Sequence, residues 1–183
     1  MSDYRPDGNT GTGRGKMMKI FFIPLVTALV FFTCPAFARV SSLVVEVNGM
    51  ACPFCAFGVE KRMQHVPGVE SVAVDIQAGT ARATAGHEGS IQYQDVPRAV
   101  KEAGFTAGDM WITAGGRVEN NGGNGLILQM KELFIPLTVD DNVLKQRLTA
   151  VVGTGRQVVL KGRIRSKEGA WILYPETMEP KKP

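Results

Sequence analysis

Cys52 and Cys55 stand three residues apart in the stretch Gly49-Met50-Ala51-Cys52-Pro53-Phe54-Cys55. The stretch lies where a short β-branched run, Leu43 to Val47, gives way to a helix-like segment beginning near Cys55. Two sulfurs at this spacing can converge on one ion, and the N-terminal end of a helix lowers thiol pKa through its dipole and unpaired N–H groups. Thiolates bind metal, and their softness favours Cu(I) and other thiophilic ions over magnesium or calcium. Two ligands fall short of the four used by a structural zinc site. A disulfide is the other state open to the pair. A bridge over a two-residue gap removes little unfolded-state entropy, so a functional pair is expected rather than a staple.

The elements that must position this pair begin with an N-terminal leader. Of the 183 residues, 44% are hydrophobic and 21% charged, an ordinary globular composition for one domain or two small ones. Met1 to Lys16 is poor in large apolar side chains and rich in glycine, which marks it as disordered or untranslated, with Met17 and Met18 as alternative starts. Lys19 then leads into the apolar run Ile20 to Phe32 and the small-residue ending Ala36-Phe37-Ala38, the pattern of a secretory signal. Residues 1–38 are thus expected to be leader and signal, with cleavage near Ala38 leaving a periplasmic or secreted protein that begins at Arg39. The alternative is an uncleaved inner-membrane anchor, because Ile20 to Ala38 is free of charge and just reaches spanning length. Cys34 lacks small lipobox-like residues before it and is assigned to the discarded peptide, which leaves Cys52 and Cys55 as the mature cysteines.

From Ser42 to Ile112 the hydrophobic pattern is regular. Leu43, Val45 and Val47 alternate with Val44, Glu46 and Asn48, as in a strand with one apolar face. Val59, Met63 and Val66 then recur at helical spacing up to Pro67-Gly68, and Val72, Val74 and Ile76 lead through Gly79 into Thr80 to Ala85 as a hairpin. Val96, Val100 and Ala103 mark a second helix ending at Gly104, and Phe105 to Ile112 a last strand. The order β-α-β-β-α-β is the ferredoxin-like arrangement of an α+β domain, expected over residues 42–112.

Gly49-Met50-x-Cys52-x-x-Cys55, Val59, Val66-Pro67-Gly68-Val69, Val74-Asp75 and Ala103-Gly104-Phe105 fall in an order that resembles the heavy-metal-associated domain family. That family includes copper chaperones, metal-binding repeats of copper-transporting ATPases and a periplasmic mercury-binding protein. The resemblance implies that Cys52 and Cys55 are the metal ligands, for Cu(I) first and Hg(II) or Zn(II) otherwise. It implies that Met50 packs beneath the loop without coordinating, that Gly49 lets the loop turn, and that Phe105 shields the thiolates. The implied partner is a metal transporter or another metal-accepting protein. Pro53-Phe54 departs from the small or polar pair common in the chaperones. Cys-Pro-x-Cys also suits a thiol-disulfide oxidoreductase with Cys52 as nucleophile, which is the alternative function.

Other chemistry is sparse. His65 at the end of the first helix and His87 in a glycine-flanked loop read as solvated, and Met50, Met63, Met110, Met130 and Met178 form no cluster. Gly153-Thr154-Gly155 lacks the lysine and spacing of a phosphate loop, and no Ser, His and Asp set has recognisable context. An enzyme is not expected.

Thr113 to Gly116 reads as a hinge of small residues, followed by a second domain over 117–175. Arg117 to Glu119, Leu126 to Met130 and Leu133 to Thr138 read as strands, with a turn at Asn120 to Gly125. A helix from about Asp140 carries Val143, Leu144, Leu148 and Val151 on its apolar side, capped by Asp140 or Asp141. Arg156 to Arg165 and Ala170 to Tyr174 complete a β-β-β-α-β-β order, which resembles a small OB-fold-like β-barrel. Residues 176–183 read as a polar tail. Counted from Arg39, the first part to Gly116 carries six basic and eight acidic residues, net −2, and the remainder eleven and seven, net +4. Lys161, Arg163 and Arg165 alternate along one strand face. They read first as a solvated strand face; export makes nucleic acid an unexpected partner for them, and contact with an acidic protein or a membrane surface is the next option. The sequence leaves the oligomeric state open.

Overall fold

The computed structural model describes residues 39–87, 89–122, 125–131 and 133–181. The expected leader and signal, with Cys34 and the alternative starts, lie outside the described residues, as do Lys182 and Pro183.

The first elements follow the alternation of the sequence. Strand β1 (Arg39–Asn48) buries Val40, Leu43, Val45 and Val47. Helix α1 (Pro53–Gln64) turns Val59 and Met63 onto them. Strands β2 (Val69–Asp75) and β3 (Thr80–Ala85) form the expected antiparallel hairpin, with Ala81, Ala83 and Ala85 inward. Helix α2 (Val96–Glu102) buries Val96, Ala99 and Val100. Strand β4 (Thr106–Asn120) then returns antiparallel to β1. The sheet order β2-β3-β1-β4, with both helices supplying side chains to one core, is the ferredoxin-like arrangement.

The expected hinge is absent. Thr113 to Gly116 lie inside β4, a single strand of 15 residues in place of the two short ones that the small residues suggested. Along one edge β4 pairs with β1 from Thr106 to Gly115 and with β5 (Leu126–Met130) from Arg117 to Asn120. Along its other edge it pairs with β7 (Gln157–Lys167) from Met110 to Arg117. Gly115 and Gly116 mark the handover from β1 to β5. A Cβ built on Gly116 would stand 2.5 Å from the Gln129 carbonyl oxygen and 2.9 Å from Leu128 Cδ1, so glycine is needed there because neighbouring backbone and side chain approach too closely for any larger residue. Small residues in a strand interior and small residues in a linker look alike in sequence.

Beyond β5 come β6 (Leu133–Leu137), helix α3 (Asn142–Val151), β7 and β8 (Ala170–Pro180). Pairings β4–β5, β5–β6, β7–β8 and β4–β7 are antiparallel, and β6 meets β8 in parallel at Leu137 and Leu173, which closes a five-stranded barrel. The Thr138 N–H donates to the Leu173 carbonyl at 3.0 Å beside that seam. Asp141 caps α3, its carboxylate accepting from the Val143 N–H at 2.8 Å. Leu144 and Leu148 face the core one helical turn apart, whereas Val143, expected on that face, is 67% exposed because it sits one residue, about 100° of helix, off the buried stripe. The expected polar tail instead continues β8 to Pro180, paired with β7 as far as Val158.

The two parts of the described chain share one core, running from Leu43 and Met63 to Leu160 and Leu173. Tyr93, buried in the short 3-10 turn before α2, meets Trp171 of β8 edge to face, with ring centroids 5.6 Å apart. Burial pushes the Tyr93 phenol from its usual 10.0 up to about 12.

Two predictions follow from these contacts. Gly116→Ala should lower unfolding free energy by about 2 kcal/mol, read from urea melts, since the new Cβ must displace the β5 backbone. Because Tyr93 titrates higher folded than unfolded, its contribution is complete below the unfolded value and is lost as pH rises from 10 through about 12. Tyr93→Phe should match the parent near neutrality and exceed it by about 2–3 kcal/mol at the alkaline end, in the same melts.

Candidate metal-binding site

The site grows from the turn between β1 and α1. Gly49 adopts φ +89°, a left-handed backbone that favours glycine, and so redirects the chain as it leaves the sheet. Met50 follows and is buried in the core beneath the loop. Cys52 then takes the N-cap position of α1 with an extended backbone, and Pro53 occupies the first helical turn, where a missing N–H costs nothing. The Cys52 sulfur accepts a hydrogen bond from the Cys55 N–H at 3.1 Å, and the Cys52 carbonyl accepts from the Ala56 N–H at 3.1 Å. The cap thus fixes one sulfur at the positive end of the helix.

Cys52 and Cys55 are joined as a disulfide, with Cα atoms 5.1 Å apart. The structure therefore brings the two expected residues together, as a bridge in place of the expected free thiolates. Both are half-buried, so the bridge is open to solvent on one side. Among the described residues, no third His, Cys, Asp or Glu gathers with them to form a metal-holding group.

The two histidines lie elsewhere. His65 is the C-cap residue of α1, at the opposite end of the helix, with its Nδ1 2.6 Å from the Lys61 carbonyl oxygen. His87 is exposed in the turn after β3, where its carbonyl accepts from the Arg39 guanidinium. Phe105 is half-buried against the core at the α2–β4 junction.

Two residues next to the pair were not singled out as an exposed patch. Phe54 is 88% exposed and Phe57 59% exposed, and the Lys61 ammonium stands 5.5 Å from the Phe57 ring centroid. Their helical positions carried the signal, because neither falls on the Val59–Met63 stripe that faces the sheet.

The sheet order with its two helices defines a ferredoxin-like fold, with the capped turn and the paired cysteines at the end of β1. Residues 44–106 match the heavy-metal-associated domain, so this part of the chain is a domain of that kind. Among solved structures, the chain is similar to one described as crosstalk between Cu(I) and Zn(II) homeostasis, at 30% identity over 37% of this chain and 94% of that one, TM-score 0.32. It is similar to a copper binding domain from HMA7, a P-type ATPase, at 26% identity over 37% and 90%, TM-score 0.34. It is also similar to oxidized MerP from Ralstonia metallidurans CH34, at 26% identity over 38% and 96%, TM-score 0.34. No protein of curated function matches the sequence. The family match ends where β4 begins, so the barrel lies outside it.

The cap yields a prediction that separates it from the bridge. Under reducing conditions, where no disulfide contributes, Cys52→Ala should still lose about 0.5–1 kcal/mol against the reduced parent in urea melts, because the Cys55 N–H loses its acceptor.

Proposed function

We propose that this protein captures one soft metal ion on the thiolates of Cys52 and Cys55 and passes it to a metal transporter or another metal-accepting protein. The observation that carries the reading is the convergence of two half-buried sulfurs at the N-terminus of α1, within a heavy-metal-associated domain. Cu(I) is the first choice and Hg(II) the second, because soft ions accept two thiolates as a sufficient set. Zn(II) would need further ligands from solvent or from the acceptor.

The ion is cargo, and loading begins with reduction. A dithiol reductant delivers two electrons and two protons to the bridge, leaving two thiols. Metal entry then releases both protons, and transfer proceeds as acceptor thiolates replace Cys52 and Cys55 one at a time on the ion. The α1 N-terminus favours each thiolate as it forms, and the Cys55 N–H holds the Cys52 sulfur in place. Phe54 and Phe57 give the acceptor an apolar surface beside the sulfurs.

We further assign the barrel to the OB-fold, on its strand order β4-β5-β6-β8-β7 with α3 between its third and fourth strands, and give it the role of a docking surface. Export to the periplasm or beyond after cleavage near Ala38, or retention at the inner membrane by an uncleaved segment, completes the reading. It rests on the leader pattern of the sequence.

A second reading is favoured by the closed bridge itself. An N-capped Cys-Pro-x-Cys disulfide open to solvent is the form in which a thiol-disulfide oxidoreductase accepts electrons from a substrate dithiol.

Anaerobic titration of the reduced protein with Cu(I), Hg(II) and Zn(II), followed by native mass spectrometry, decides between them. One Cu(I) or Hg(II) per chain is expected, and none in the Cys52→Ser, Cys55→Ser variant. Unchanged stoichiometry in that variant would end the metal reading. Turnover of a test dithiol above a free-thiol control would move the function to redox exchange.

A further inference from the structure

The sheet face away from α1 and α2 carries a groove. In the register of the sheet, Arg82 of β3, Val44 of β1, Trp111 of β4 and Arg163 of β7 stand side by side across four strands. One step along the strands, Ser42, Thr113 and Lys161 form a second row. Val44 is the small member between Arg82 and Trp111, and the depression above it is a groove of about 290 Å³ lined by Ser42, Val44, Arg82, Trp111, Thr113 and Lys161. The groove exists only because β4 is shared, since Arg82 comes from the metal-binding part and Lys161 from the barrel.

The charges on this face are unevenly committed. Arg163 and Arg165 each reach Asp109 at 3.2 Å, and the Arg163 guanidinium lies 5.3 Å from the Trp111 ring centroid, which holds the indole from its β7 side. Glu46, on the same face, accepts from the Asp109 N–H at 3.3 Å. The side chains of Arg82 and Lys161 have no ion pair or hydrogen bond with any of the described residues, and no acid lines the groove. Two free cations, two hydroxyls and an indole N–H therefore surround one cavity with donors in excess of acceptors.

We propose that this groove binds a phosphate-bearing ligand, with Arg82 and Lys161 on the phosphoryl oxygens and Trp111 against the apolar portion of the ligand. A guanidinium fork, a separate ammonium and neighbouring hydroxyls supply more donors than the two oxygens of a carboxylate need, and suit the three terminal oxygens of a phosphate. A free phosphate ester and a lipid headgroup share this chemistry.

The test follows the two indole N–H resonances of the full chain by NMR, with Trp111 and Trp171 distinguished through Trp171→Phe. Inorganic phosphate is added at constant ionic strength. In a separate arm, vesicles of phosphatidylglycerol in phosphatidylcholine are compared with phosphatidylcholine alone. The Trp111 resonance should respond saturably while Trp171 stays still. Arg82→Gln with Lys161→Gln should weaken binding about tenfold, and Lys101→Gln with Lys145→Gln, which removes the same charge elsewhere, should not. Saturation by phosphate alone assigns the groove to free phosphate esters, and a response confined to the anionic vesicles assigns it to a headgroup. No Trp111 response to either probe, or equal binding by the Arg82 and Lys161 variant, overturns the proposal. The outcome does not depend on the cysteines, so Cys52→Ser, Cys55→Ser should bind phosphate like the parent whatever its metal binding does.

Discussion

The backbone hydrogen bonds of β4 are the constraint on which the described molecule depends. A strand has two edges, and β4 fills both, first with β1 and β5 in succession and then with β7 opposite. Its inward residues Met110, Ile112 and Ala114 consequently belong to the same buried cluster as Val59 of α1 and Leu160 in the barrel. A ferredoxin-like sheet and a closed barrel joined this way have no independent boundary at which one could swing relative to the other. The cost is borne at Gly116, where β5 comes too close for a side chain.

The cysteine site sits at the free end of this framework. β1 delivers the turn, Gly49 redirects it, Met50 anchors it below, and the first turn of α1 receives it with a sulfur as the cap. Anchorage below and partial exposure above suit the transfer site proposed for it, since the ion must be held by few ligands and reached by a partner. The same exposure leaves the sulfurs free to close on each other, so the proposed capture of metal would compete with formation of the bridge for one pair of atoms.

On the other face of the sheet, shared pairing has a different consequence. Aligned strands bring side chains from distant parts of the sequence into rows, and the row through Trp111 joins residues 82, 111 and 163. Asp109 pairs with Arg163 and Arg165, which leaves the Arg82 and Lys161 side chains beside the groove without an ion pair.

Local pattern alone determined much of this protein. The alternation of Leu43, Val45 and Val47, the helical spacing of Val59 and Met63, and the ordered motifs from Gly49 to Phe105 established the ferredoxin-like part and its cysteine pair, because period and spacing are properties of neighbours along the chain. The barrel's strands and the Asp141 cap were legible for the same reason. Tertiary structure alone decided that Thr113 to Gly116 continue a strand, since small residues mark a linker and a close strand crossing equally well until the partner strands are in place. It also decided that Val143 points outward, that β8 runs to Pro180, and that Arg82, Trp111 and Lys161 share a groove. Each of these is set by pairing between residues far apart in sequence, and no local pattern records which strand will lie beside which.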